Sequence, residues 1–310
     1  MNLLTLDFGG TFVKYCLMNE QAEISGHGQL PAPVKSRDDF IDLICDLYRQ
    51  YEDKVDGIAI SMPGIIDSES GDIILVSVYP ELSGTNLYEL LKDHIPVPVS
   101  VENDGKAAIL AEAWKGALAG CDTAACVILG SGIGGGIIMD GKLQKGKGFA
   151  AGEISDLMLY PGVYDLNNAL CFDASTSGFL KAVAREKGMD PSLFEVSGNA
   201  SLNEKRIDGR EVMHWVEEGD AETLRVYEKL IQHLAWLLIN LKLIISPEKI
   251  VIGGGISRNE RFISDLKKEY EKAAAVFAAD MPETFIDVCQ FQADANLLGA
   301  VYHWLLMYQR

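Results

Sequence analysis

Residues 3–14 have the sequence Leu3-Leu4-Thr5-Leu6-Asp7-Phe8-Gly9-Gly10-Thr11-Phe12-Val13-Lys14. An apolar run leads to an acidic residue, turns at two glycines and a threonine, and continues as a second apolar run. This pattern predicts a β-hairpin whose turn exposes backbone N–H groups beside a carboxylate. Glycine allows a ligand to approach the backbone closely, so the turn suits a phosphate, with Asp7 as a candidate Mg²⁺ ligand. A purely structural hairpin explains the same residues, so this stretch alone leaves both interpretations open.

A second glycine turn occurs later in the chain. The apolar run Ala124–Leu129 leads to Gly130-Ser131-Gly132-Ile133-Gly134-Gly135-Gly136, and Ile137–Met139 then reach a turn at Asp140-Gly141. Two such hairpins predict two related halves that clamp phosphate groups across a cleft. The G-x-G-x-x-G pattern of dinucleotide-binding folds must open a helix, whereas a strand follows here, so a Rossmann oxidoreductase is not expected. The P-loop motif and the G-x-S-x-G nucleophile elbow are both missing from the sequence.

The composition limits the partners and the location of the protein. The chain has 310 residues and a net charge of −18, which argues against nucleic acid and anionic membrane surfaces as partners. A secretory leader and an apolar stretch long enough to span a bilayer are both missing, which predicts a cytoplasmic protein. The six cysteines show no C-x-x-C spacing, so the sequence suggests neither a zinc site nor a disulfide framework.

Two apolar strands end in turns that suggest a ligand site. Val55–Ser61 ends at Met62-Pro63-Gly64, where the carboxyl end of a strand is expected to open into a crevice. Val97–Val101 is followed by Glu102-Asn103-Asp104, immediately before the predicted helix 105–114. Taken alone, Asn103 or Asp104 is more typical of a helix N-cap than of a catalytic group.

A third glycine-rich turn follows the apolar run 249–252. It consists of Gly253-Gly254-Gly255, and Ser257-Arg258-Asn259-Glu260 after it has the pattern of a capping box, which predicts a helix beginning after Ser257. Such a turn between strand and helix allows a flat or phosphorylated ligand to lie against the backbone.

Together these motifs resemble the ROK family of sugar kinases and sugar-responsive repressors. The resemblance covers essentially the whole chain and rests on five motifs in family order, namely Asp7-x-Gly9-Gly10-Thr11-x-x-Lys14, Glu102-Asn103-Asp104, Gly130–Gly136, Ala151-Gly152-Glu153 and Ile252-Gly253-Gly254-Gly255. It implies an α/β, two-domain actin-like ATPase (ribonuclease H-like) fold with a ligand cleft between the domains. We expect an N-terminal domain over 1–117, completed by a C-terminal helix over 291–310, a second domain over 118–290, and a homodimer.

The resemblance also implies roles for individual residues. Asp104 corresponds to the catalytic base, which accepts the proton of a sugar hydroxyl as that hydroxyl attacks the γ-phosphate of ATP. Asp7 is expected to bind Mg²⁺. The residues expected to bind sugar are Asn103, Asp104, Glu153, Asp156, Asp173 and Gly64. The residues expected to bind ATP or its phosphates are Asp7, Gly9, Gly10, Thr11, Lys14, Gly130, Ser131, Gly132, Gly134, Gly254 and Gly255.

The chain departs from the family pattern around Glu153. Most members have a histidine where this chain has Asp156, and that histidine contacts sugar and binds a structural zinc together with a cysteine cluster. Only Cys171 remains of that cluster, so no zinc is expected. Asp173 replaces the usual sugar-binding glutamate, and Pro80-Glu81 replaces a usual Pro-Asn.

The pattern without zinc ligands is most similar to the branch that includes β-glucoside kinases. The resemblance therefore implies transfer of the γ-phosphate of ATP to a sugar hydroxyl, here the 6-hydroxyl of a glucosyl unit in a hexose or a β-glucoside. The alternative is a non-catalytic sugar sensor or a degenerate member; family repressors carry a DNA-binding segment before the first glycine turn, and we expect none here. The sequence does not name the sugar, because specificity depends on the loops 74–86 and 157–171.

Overall fold

The computed structural model describes residues 1–33, 36–194 and 206–309, and the chain divides into two compact units. The first unit contains Met1–Ala119, Lys145–Ala151 and Ala293–Arg310, and the second contains Gly120–Gln144 and Gly152–Gln292. The sequence did not indicate that the short segment 145–151 belongs with the first unit. Among the described residues, no helix combines the length and apolarity that crossing a bilayer requires.

The chain contains both strands and helices, and several of them follow one another in runs of the same type. The strands are β1 (Asn2–Phe8), β2 (Phe12–Asn19), β3 (Ile24–Pro31), β4 (Gly57–Met62), β5 (Ile65–Asp67), β6 (Asp72–Leu75), β7 (Thr85–Asn86), β8 (Val99–Asn103), β9 (Ala124–Leu129), β10 (Ile133–Met139), β11 (Lys142–Leu143), β12 (Lys249–Gly253) and β13 (Phe285–Val288). The helices are α1 (Arg37–Tyr51), α2 (Leu87–Leu91), α3 (Asp104–Lys115), α4 (Leu170–Ala174), α5 (Thr176–Glu186), α6 (Gly209–Glu218), α7 (Ala221–Ile245), α8 (Glu260–Phe277) and α9 (Ala295–Tyr308).

The first unit is built on a five-stranded sheet with the order β3-β2-β1-β4-β8. The β1–β2 and β2–β3 pairs are antiparallel, whereas β4 is parallel to both β1 and β8. Every residue of β4 and β8 is buried, which is typical of parallel strands covered on both faces. Helix α9 packs on this unit: Trp304 Nε1 donates to the carbonyl of Pro98, and Tyr308 Oη donates to that of Val99.

The second unit repeats this topology. Its sheet has the order β11-β10-β9-β12-β13, again with an antiparallel hairpin on one side of the central strand and parallel pairs on the other. Strand β10 begins at Ile133, inside the G-x-G-x-x-G pattern, so the motif closes a hairpin and opens no helix. The sequence-based prediction of two related α/β halves is therefore confirmed at the level of strand order.

The predicted start of α8 was wrong. Gly255–Arg258 forms a 3₁₀ turn, and α8 begins at Glu260 with Asn259 as its N-cap, whose side chain accepts a hydrogen bond from Phe262 N at 3.0 Å. Ser257 Oγ instead donates to the carbonyl of Gly254 at 2.8 Å. The capping-box pattern failed because the serine side chain stabilises the glycine turn that precedes the helix.

Candidate active site

Asp7 lies at the carboxyl end of β1 and is 9% exposed. Its Oδ1 accepts hydrogen bonds from Ser61 Oγ and from Asn296 Nδ2, each at 3.1 Å. Burial raises the pKa of Asp7, while the Asn296 hydrogen bond and the charge of Lys14 oppose this effect. Lys14 lies opposite Asp7 in the β1–β2 register. A buried carboxylate of this kind is stabilised by a cation, which fits the expected Mg²⁺.

The first glycine turn is held by its own backbone. Gly9 N donates to the carbonyl of Phe12 at 3.0 Å, and Ala32 N donates to that of Thr11 at 2.9 Å. The hydroxyl of Tyr79 donates to the carbonyl of Gly9, and burial raises the pKa of Tyr79 to about 12, which keeps this donor protonated. Gly10 is exposed at the tip of the turn. This geometry presents the turn to a ligand, as a phosphate-binding loop requires.

The junction between β8 and α3 shows which residue, Asn103 or Asp104, is the N-cap of the helix. Asn103 is the N-cap: its Oδ1 accepts from Lys106 N at 3.0 Å, and its Nδ2 donates to the carbonyl of Gly64 at 2.9 Å. Asp104 is the first helical residue and is only half-buried, and its Oδ1 accepts from Gly105 N at 2.8 Å. The capping role thus belongs to Asn103, which is also joined to Gly64, while Asp104 occupies the first turn of the helix.

The second glycine turn lies beside the start of α5. Gly130 N donates to the carbonyl of Gly132 at 3.0 Å, and Thr176 N donates to that of Gly130 at 3.0 Å. Ser131 and Gly132 are exposed. An exposed glycine turn next to a helix N-terminus provides backbone N–H donors and a positive dipole end, which together favour an anion.

The third glycine turn borders a cavity of about 570 Å³ in the second unit. Gly254 has a φ of +91°, and a Cβ atom there would lie 2.0 Å from the carbonyl oxygen of Leu129, so only glycine fits. The residues that line the cavity are Thr176, Asp208, Gly209, Arg210, Met213, Glu217, Gly255, Ile256, Arg258 and Asn259. The mixture of apolar and charged groups and the volume are typical of a small-molecule site.

The three carboxylates expected to bind sugar in the second unit have different surroundings. Glu153 is half-buried and precedes a 3₁₀ turn over Ile154–Asp156, while Asp156 itself is exposed. Asp173 is half-buried on α4 and lines a separate cavity of about 290 Å³ with Tyr160 and His233. Burial lowers the pKa of His233, and the charge of Asp173 opposes that effect.

Mg²⁺ would find one carboxylate ligand at Asp7. The described parts of the chain hold no group of three or more His, Cys, Asp or Glu side chains arranged for a metal ion. Mg²⁺ commonly binds one or two carboxylates and completes its shell with water and substrate phosphates, so a single buried carboxylate beside a glycine turn that suits a phosphate fits it.

Ser61 and Asn296, whose side chains donate to Asp7, are not among the site residues predicted from the sequence. Ser61 is the penultimate residue of β4 and lies opposite Asp7 in the β1–β4 register, so its position near a strand end was a usable signal. Asn296 comes from α9, at the other end of the chain, and no local pattern could show that this helix packs beside Asp7. Tyr79 lies in a segment without clear periodicity, so no sequence pattern predicts its contact with the glycine turn.

Comparison with known proteins agrees with this architecture. The model of the ROK family matches residues 3–306. A β-glucoside kinase of Listeria monocytogenes is 30% identical, with 98% of each chain covered, and a glucokinase of Halalkalibacterium halodurans is 27% identical, with 98% of this chain and 94% of the relative covered. The crystal structure of a ROK family protein from Streptococcus pneumoniae in complex with sucrose is 29% identical, with a TM-score of 0.85 over 100% of this chain and 99% of the other.

These matches span nearly the full length of both partners, and the solved structure has the same fold. The predicted fold class, a two-domain α/β fold of the actin-like ATPase type, is therefore confirmed. The chain belongs to the ROK family.

Proposed function

We propose that this protein is an ATP-dependent sugar kinase that transfers the γ-phosphate of ATP to the 6-hydroxyl of a glucosyl unit, in a hexose or a β-glucoside. Family membership and the names of the relatives, β-glucoside kinase and glucokinase, support the sugar kinase class. The match to a β-glucoside kinase supports a β-glucoside as the substrate, and the match to a glucokinase supports a hexose.

The observation that carries the proposal is that Asn103, and not Asp104, is the N-cap of α3. The fixed Asn103 side chain caps α3 and holds Gly64, while the carboxylate of Asp104 sits at the first turn of the helix. In our proposal Asp104 accepts the proton of the attacking sugar hydroxyl, and Asn103, Gly64, Glu153, Asp156 and Asp173 contribute to sugar binding. Phosphoryl transfer mainly needs positioning and charge neutralisation, with one carboxylate to orient the nucleophile.

The nucleotide is proposed to use the three glycine turns. The cavity beside Gly254 and Gly255 would take adenosine, and the turns at Gly9–Thr11 and Gly130–Gly134 would bind phosphate through backbone N–H groups. Lys14 and a Mg²⁺ ion held by Asp7 would neutralise phosphate charge. When bound, Mg²⁺ supplies electrostatic stabilisation of the transferred group.

A metal test follows from the surroundings of Asp7. Treatment with EDTA is expected to abolish turnover, and Mg²⁺ alone is expected to restore it, because Asp7 offers an oxygen ligand of the type that Mg²⁺ prefers. Elemental analysis of the purified protein should find no stoichiometric zinc. Activity that returned only with Zn²⁺, or one zinc per chain, would contradict this part of the proposal.

We also propose a homodimer, as the family resemblance implies. Ile244 on α7 and Val276 and Phe277 on α8 are 76%, 73% and 67% exposed, which makes these apolar side chains candidates for a subunit interface. Size-exclusion chromatography with light scattering should give twice the chain mass, and a monomer at micromolar concentration would count against the proposal.

The function is tested by measuring ADP formation with a panel of sugars. The panel contains glucose, mannose, fructose, N-acetylglucosamine, cellobiose and simple β-glucosides, and NMR of the product identifies the phosphorylated hydroxyl. We expect sugar-dependent turnover, with phosphate at the 6-position of a glucosyl unit. Sugar binding without turnover across the panel would favour the alternative, a non-catalytic sugar sensor, for which the exposed Asp156 in place of the usual histidine is the specific argument.

A further inference from the structure

Glu102 is fully buried directly before the Asn103–Asp104 pair. Its Oε1 accepts a hydrogen bond from Asn103 N at 2.9 Å. Its Oε2 accepts from Ser68 Oγ at 3.0 Å and lies 3.0 Å from Lys145 Nζ. Burying a carboxylate destabilises the folded protein unless the group is paired with a cation and hydrogen-bonded. The buried Glu102 side chain therefore depends on all three of these partners.

Lys145 comes from the short segment that the first unit takes from the middle of the chain. Its side chain is 20% exposed, and Nζ also donates to Ser68 Oγ. The segment closes on itself, because Ala151 N donates to the carbonyl of Lys145 at 3.1 Å. The ion pair with Glu102 therefore fixes the segment 145–151 to the strand end that carries Asn103 and Asp104.

In the part of the chain that the structure describes, Lys145 forms an ion pair with Glu102. His303 Nδ1 lies 3.6 Å from Glu102 Oε2, but His303 is 5% exposed and burial lowers its pKa, so the imidazole is neutral near pH 7. Tyr88 Oη donates to the carbonyl of Ser68 at 2.7 Å and accepts from Val101 N at 3.3 Å. The Tyr88 contacts thus hold the backbone on both sides of this site, at Ser68 and at the residue before Glu102, while Lys145 supplies the positive charge at the carboxylate.

We propose that Glu102 and Lys145 are positioning residues for Asp104. The proposal rests on the kinase function proposed above. Glu102 sets the backbone of the Asn103 cap through the Asn103 N–H, and the charge of Lys145 keeps that carboxylate in place. Without the cation, the buried carboxylate must find water or another donor, and the strand end moves with it. A displacement of about 1 Å at a reacting group costs about 100-fold in rate.

The test replaces the partner that is partly exposed, since that change leaves the core intact. Lys145→Met keeps the apolar stem and removes the charge, Lys145→Arg keeps the charge, and Lys147→Met is the matched control on an exposed lysine of the same segment. We expect Lys145→Met to lower kcat by about 10- to 100-fold with KM for ATP within about twofold of wild type, and Lys145→Arg to recover most of the rate. Equal kcat for Lys145→Met and Lys147→Met would overturn the proposal.

A second pair of variants addresses the carboxylate itself. Glu102→Gln removes the charge, and Glu112→Gln does the same to another fully buried glutamate, whose Oε2 accepts from Ala117 N at the far end of α3. Positioning predicts a loss of kcat in Glu102→Gln only. Equal losses in both variants would indicate a structural role and contradict the proposal.

A readout without turnover separates this proposal from the proposed function. Amide hydrogen exchange at Asn103 should accelerate in Lys145→Met and stay as in wild type in Lys147→Met, because the Asn103 N–H donates to Glu102. If wild type is inactive on every sugar but this exchange pattern is found, the kinase function fails while the positioning contact stands. Unchanged exchange at Asn103 in an active enzyme would contradict the positioning role alone.

Discussion

At the scale of single residues, Asn103 caps α3 and Asp104 follows it as the first residue of that helix. Asn103 and Asp104 are both good N-cap residues, and their order alone does not say which one caps. The hydrogen bonds to Lys106 N and the Gly64 carbonyl give that role to Asn103. Asp7 was found through its position before two glycines, whereas Asn296, its partner from the other end of the chain, could not be found because its contact is entirely tertiary.

Gly254 provides a stability test at this scale. Gly254→Ala is expected to destabilise the protein by about 3 kcal/mol, because the new Cβ would meet the carbonyl of Leu129 at a φ of +91°. Gly255→Ala is the matched control, since a Cβ there meets nothing within 4 Å. Denaturant unfolding of both variants measures the difference, and equal free energies of unfolding would show that the turn relaxes without cost.

At the scale of elements, long periodic segments were predictable and short aperiodic ones were not. The apolar residues of the segment 221–245 recur at helical spacing over many turns, which predicts a helix with these bounds, and α7 covers Ala221–Ile245. The start of α8 was misplaced because Ser257 bonds to the glycine turn. Between 152 and 169 the chain forms short 3₁₀ turns and one isolated bridge, with no repeating pattern to detect.

Helix α9 packs against α3 through a glycine. A Cβ at Gly299 would lie 1.7 Å from the carbonyl oxygen of Ala107, so Gly299→Ala must push the two helices apart and is expected to cost about 3 kcal/mol of stability. Leu306→Ala, on a side chain of the same helix that is 43% exposed, should cost less. Thermal and denaturant unfolding compare the two, and a larger loss for Leu306→Ala would contradict the packing described here.

At the scale of the whole molecule, motif order predicted the fold class better than any single motif did. The first glycine turn alone could be a purely structural hairpin, and two such hairpins predicted two related halves. Five motifs in one order gave the family resemblance that implied the α/β fold, and both sheets have the same strand order. The sequence could not predict that the segment 145–151 belongs to the first unit, because the Lys145–Glu102 ion pair joins residues that are remote in sequence.

His303 links the stability of the molecule to pH. Burial lowers its pKa from the ordinary value of 6.5, the charge of Lys145 acts in the same direction, and Glu102 and Glu69 oppose it. As the pH falls below 6.5, His303 is therefore protonated in the unfolded chain before it is protonated in the folded protein. The contribution of His303 to the free energy of unfolding is complete above pH 6.5. It decreases as the pH drops, by at most about 1.4 kcal/mol per pH unit.

The contribution of His303 is measured by comparing unfolding free energies at neutral and mildly acidic pH. His303→Gln should lose less stability on acidification than wild type, whereas His94→Gln, at an exposed histidine, should lose as much as wild type does. Carboxylates that titrate in the same pH range contribute equally to the free energy of unfolding of each variant, so their contribution cancels in the comparison. An identical pH dependence in His303→Gln and wild type would show that His303 is not the source.

The most direct test of the central claim is the turnover number of Asp104→Asn, with sugar affinity measured by calorimetry on the same preparation. The substitution keeps the size of the side chain and an oxygen that can accept from Gly105 N, but removes the proton acceptor. We predict that kcat falls by about 10²- to 10⁴-fold while the sugar still binds. A variant that retains wild-type kcat would contradict the assignment of Asp104 as the base, and with it the account of how this site transfers phosphate.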